Sequence, residues 1–64
     1  MLHSYAVELL TGASGTGATE IVTTQVQAVD RYEAVALARR FVEQQHPQVN
    51  LASIDTWFVA RRID

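Results

Sequence analysis

The chain has 64 residues, a formal charge of −2 and no cysteine. Its apolar content of 48% is that of a globular protein, and no apolar run approaches the about 18 residues a spanning helix needs, which excludes disorder and a transmembrane helix. Without cysteine there are no disulfides, no thiolate zinc sites and no thiol catalysis.

The opening stretch MLHSYAVELLTG lacks a basic region ahead of its apolar residues, so it does not read as a signal peptide, and the expected location is the cytoplasm. Residues 3–10, HSYAVELL, alternate: Tyr5, Val7 and Leu9 fall on one side, with Ser4, Ala6 and Glu8 on the other. That period of two predicts a half-buried strand.

Next comes TGASGTGATE, residues 11–20, with Gly12, Gly15 and Gly17. Its G-x-x-G-x-G spacing is neither the dinucleotide fingerprint nor a P-loop, which ends in G-K-[ST]. Both motifs also need a helix directly after the glycines, to aim backbone N–H groups at a phosphate. A strand follows here, so the stretch is expected to be a long hairpin connection that uses glycine for positive φ.

EIVTTQVQAV, residues 20–29, is rich in β-branched residues. Val22, Thr24, Val26 and Ala28 share one side, and Thr23, Gln25 and Gln27 the other, which predicts a second strand hairpinned to the first. Asp30 then opens a helix, with Glu33 three residues on at capping-box spacing. Along RYEAVALARRFVEQQ, at about 100° per residue, Ala34, Leu37, Ala38, Phe41 and Gln45 cluster within about 60° of one direction. Val35 and Val42 flank that face, whereas Tyr32, Arg39, Arg40 and Glu43 lie opposite. Pro47 sets the stop, because the residue before a proline avoids the α region. A last strand is predicted over residues 53–63, SIDTWFVARRI.

The expected fold is therefore a single α+β domain of order β-β-α-β. It has a three-stranded, mainly antiparallel sheet with one helix packed on one face. A right-handed crossover sets the last strand beside the first, antiparallel to it. That last strand has large apolar groups on both sides. Ile54, Thr56, Phe58, Ala60 and Arg62 occupy one, and Asp55, Trp57, Val59, Arg61 and Ile63 the other. Whichever side meets the helix, an apolar patch is left on the open side, and monomeric soluble proteins rarely leave such patches uncovered.

The remaining residues offer little chemistry. His3 and His46 are far apart in sequence, and no His/Asp/Glu cluster has metal-ligand spacing. His46 sits at the helix C-terminus, where an imidazolium complements the dipole. Glu8 and Asp55 have strand positions that could make them neighbours on the sheet, and the spacing does not establish a pair. Arg39 and Arg40 precede Glu43 at i+4 and i+3 spacing, as on a solvated helix face. Arg61 and Arg62 must point to opposite sides of a strand.

Trp57 is the residue of most interest, since tryptophan buries a large area and is enriched at interface hot spots. It belongs either to a partner contact on the open sheet face or to the helix-covered core, and the alternation leaves both open. The expectation is a non-enzymatic interaction protein, an accessory or regulatory factor. It self-associates, as a dimer, through an open-face surface of Trp57, Val59, Arg61 and Ile63. A domain this small lacks other staples, and a second copy adds buried apolar area without lengthening the chain. No catalytic residue, metal or cofactor is expected. The alternative is a nucleic-acid-binding module using Trp57, Arg61 and Tyr5 as a stacking and guanidinium surface, against a net negative charge.

Overall fold

Three strands and one helix build the chain: β1 over His3–Thr11, β2 over Thr19–Ala28, α1 over Arg31–Gln45 and β3 over Thr56–Arg62. The computed structural model describes residues 1–12, 17, 19–53 and 55–64. The sheet order is β2-β1-β3, and β1 pairs antiparallel with both neighbours. The β-β-α-β order, the α+β class and the place of β3 beside β1 are as the sequence predicts. Among the described residues, no helix is long and apolar enough to cross a membrane.

Alternation decides which sheet face meets the helix. Tyr5, Val7 and Leu9 in β1 stand in register with Val26, Thr24 and Val22 in β2, and with Arg62, Ala60 and Phe58 in β3. Tyr5, Val7 and Ala28 pack with Ala34 and Ala38 of α1, and Val26, Val35, Phe58 and Ala60 close around them. The β1–β2 ladder shifts between Leu9 and Leu10, where Ile21 is the extra residue of a bulge and Glu20 falls opposite Leu10.

The helix start follows from its cap. Asp30 is extended, and its Oδ1 accepts from the Glu33 N–H at 2.8 Å. Glu33 reaches back and accepts from the Val29 N–H at 3.0 Å, one residue before the cap. Two otherwise orphaned donors are thus satisfied, as the capping-box spacing implies.

The buried helix face is turned from the predicted one. Ala34, Ala38 and Val42 are buried, whereas Leu37 and Phe41 remain 36% and 38% exposed and Gln45 lies in solvent. The reason is size. Two alanine methyls facing the fully buried Ala28 let the helix approach the sheet closely, and β-branched Val35 and Val42 fill one flank. Leu37 and Phe41 are too long for that gap and sit at the rim. Phe41 there packs edge-on to His46, ring centroids 6.3 Å apart.

His46 is the C-cap residue, with its own N–H donating to Val42 O at 2.7 Å. Its ring therefore packs on the helix as well as ending it. The last strand starts later than predicted, at Thr56, because Ser53 makes a turn. Its carbonyl accepts from the Thr56 N–H at 3.3 Å, and its hydroxyl from the Asp55 N–H at 3.2 Å.

The predicted glycine-rich connection falls largely on residues 13–16 and 18, outside the described residues, as does Ile54. Two of its glycines are described. Gly17 has φ +74°, the positive φ expected of it. Gly12 donates its N–H to Asp55 O at 2.9 Å, which ties the end of β1 to the approach of β3.

Candidate interaction surface

The face of the sheet away from α1 is ordered in rows by the register. Trp57, Leu10 and Glu20 form one; Val59, Glu8 and Thr23 the next; then Arg61, Ala6 and Gln25; and last Ile63, Ser4 and Gln27, where the Ile63 N–H donates to Ser4 O at 2.9 Å. Trp57, Val59, Arg61 and Ile63, the four residues expected to form an interaction surface, therefore share the open face. Trp57 is 40% exposed, Val59 42% and Ile63 44%, so the tryptophan stands outside the helix-covered core. Phe58 and Ala60 take the helix side, which resolves the two-sided character of β3.

The apolar groups concentrate on one strand. β3 contributes Trp57, Val59 and Ile63 to the open face, whereas β2 contributes Thr23, Gln25 and Gln27. The charged side chains Arg61, Glu8 and Glu20 on this face each have a partner. Arg61 reaches Glu8 across the β1–β3 ladder at 3.6 Å, and Glu20 accepts a hydrogen bond from the Thr23 hydroxyl.

The apolar strip also continues around the outer edge of β3. Between that edge and the first turn of α1 lies a shallow cavity of about 340 Å³, lined by Arg31, Tyr32, Val35, Phe58, Val59 and Ala60. Tyr32 stands largely exposed beside it, with the Arg31 guanidinium carbon 5.3 Å from its ring centroid. The Tyr32 hydroxyl, 3.4 Å from Arg31 Nη2, accepts a hydrogen bond from the guanidinium and raises the Arg31 pKa.

Several expected constellations are not assembled. Tyr5 is buried beneath the helix, on the side of the sheet opposite Trp57 and Arg61, so those three do not form one stacking surface. Glu8 and Asp55 are not a carboxylate pair: Glu8 stands opposite Val59, four residues along β3 from Asp55, and its ion partner is Arg61. Arg39 pairs with Glu43 at 3.4 Å, as helix spacing implies. Among the described residues, no group of three or more His, Asp or Glu side chains is placed to hold a metal.

A small polar knot that sequence reasoning missed closes the far end of the sheet. Asp64 Oδ2 accepts from the Ser4 N–H at 3.1 Å, and its Oδ1 lies 3.0 Å from Arg62 Nε. His3 Nδ1 is 3.9 Å from the same carboxylate. The Ser4 N–H bond, with help from Arg62, holds the Asp64 carboxyl below its ordinary pKa. Neither spacing nor composition signals this cluster, since its members meet only through the β1–β3 register.

Compared with known protein families, curated proteins and solved structures, the chain matches none of them. Its functional reading therefore rests on the surface itself.

Proposed function

We propose that this chain is a small non-enzymatic interaction protein that works as a homodimer, with the β3 side of the open sheet face as its contact surface. The observation that carries this reading is the exposure of Trp57, Val59 and Ile63, each about two-fifths exposed, along one line of the open face in which Arg61 stands between Val59 and Ile63. A tryptophan held on a rigid strand costs little further ordering on contact and offers a large apolar area. The Glu8–Arg61 pair in the same face carries both signs of charge, so a second copy meets no net repulsion there. Such a dimer would serve in the cytoplasm as an accessory or regulatory factor for another macromolecule.

Sedimentation equilibrium at tens of micromolar tests the proposal. The expected result is a dimeric mass for the native chain and a monomeric one for Trp57→Ala, with the same far-ultraviolet circular dichroism. A native chain that stays monomeric at high micromolar concentration overturns it.

A further inference from the structure

We infer that the dimer forms by strand addition: β3 pairs antiparallel with β3 of a second copy, about a two-fold axis at Phe58, giving one continuous six-stranded sheet. This rests on the self-association proposed above and specifies how β3 is used.

The ladder geometry comes first. Ile63 N–H donates to Ser4 O and Gly12 N–H to Asp55 O, so odd-numbered residues along β3 turn their backbone groups toward β1. In an antiparallel pair, successive residues turn theirs to opposite sides. The N–H and C=O groups of Phe58, Ala60 and Arg62 therefore face outward, along an edge with no proline, no lysine and no bulge to block pairing. This edge also divides the two apolar surfaces, Trp57 and Val59 on the open face and the cavity by Phe58 and Val35 on the other. An added strand, whose side chains alternate, covers both at once.

Face-to-face stacking does less. It covers Trp57 and Val59 on the open face but leaves the cavity by Phe58 and Val35 and the backbone edge open.

Charge selects a second copy as the occupant and sets its direction. A parallel pair would bring the two arginine-bearing ends of the edge together, which like-charge repulsion disfavours. An antiparallel pair centred on Phe58 instead sets Asp55 opposite Arg61 of the second copy, twice by symmetry. It also sets Trp57 opposite Val59 and Phe58 opposite its own equivalent, beside the cavity. Moving the axis by one residue would set Asp55 against Ile63 or Val59 and lose both ion pairs.

Amide hydrogen exchange, followed residue by residue above and below the dimer midpoint, tests the pairing. The expected result is that the Phe58 and Ala60 amides exchange at least about tenfold more slowly in the dimer. Ala60→Pro, which removes an outward N–H and takes no hydrogen bond from the β1–β3 ladder, should leave a folded monomer. A dimer whose Phe58 and Ala60 amides gain no protection overturns strand addition and leaves self-association standing. A chain that stays monomeric overturns both.

Register has its own test. Asp55→Arg alone and Arg61→Asp alone should each associate at least about tenfold more weakly, and an equimolar mixture should regain dimerisation through two opposite-charge pairs. If each variant alone dimerises as well as the native chain, the Phe58-centred register is wrong.

Discussion

The two outer strands share one central partner and one helix, yet their open-face rows have opposite character. Toward the helix, Val26 and Ala28 of β2 match Phe58 and Ala60 of β3 as pieces of one core. Away from it, β2 shows Thr23, Gln25 and Gln27, whereas β3 shows Trp57, Val59 and Ile63. A strand with one surface to bury alternates cleanly between apolar and polar. A strand that is apolar on both sides has a second surface to bury, and among the described residues a single helix covers one of them.

Mutations that break the comparison should differ sharply in effect. The largest change is expected at the surface both strands share. Leu9, almost fully buried in β1 between the two, should lose about 2–5 kcal/mol on Leu9→Ala, read as a large drop in thermal midpoint. In a domain this small, that leaves little net stability. Next, Trp57→Ala should weaken self-association by about 2 kcal/mol or more while changing the monomer fold little. Gln25→Ala, on the same face of the sheet but on β2, should leave the dissociation constant within experimental error. Equal losses from both variants would remove the distinction between the strands.

Smaller still, Asp30→Ala should cost about 1 kcal/mol through loss of the helix cap, lowering stability to chemical denaturant. Because α1 covers both outer strands, the midpoint should fall without a change in the slope of the transition. The smallest effect is expected from pH, at the knot that fastens β3 to β1 but does not touch β2. The folded pKa of Asp64 lies below its unfolded value, so its contribution is complete above the unfolded value and is lost as pH falls through the folded one. Acid titration by NMR should shift the Ser4 amide along with Asp64, and Asp64→Asn should abolish that coupled shift. A Ser4 amide that titrates unchanged in Asp64→Asn would show that the bond does not govern it.

Much of the fold is legible in the sequence because local physics and tertiary structure agree. The alternation in β1 and β2, the Asp30–Glu33 cap and the Pro47 stop each reflect contacts within a few residues. The helix face is less legible. Leu37 and Phe41 satisfy the period of a core face, but close approach over Ala28 admits methyl groups rather than long side chains, and no helical wheel encodes that distance. The Ile21 bulge has no local signature, since it exists only relative to β1. The same holds for the placement of Trp57: the alternation of β3 is symmetric in size, and only pairing to β1 decides which side faces the helix. The Asp64 cluster joins residues separated by almost the whole chain.

That separation bears on the order of assembly. β1 and β2 are consecutive in the chain, separated by residues 12–18, and the β2–α1 junction is local, so the hairpin and helix can form while few distant segments are joined. Pairing β3 with β1 requires closing nearly the full chain length, the most entropically expensive step and hence the last expected in folding. The outward backbone edge of β3 and the cavity beside it thus come into being only when the fold is complete. A contact surface made by the final closure would distinguish finished chains from partly folded ones and give the proposed dimer a built-in proofreading of its own subunits.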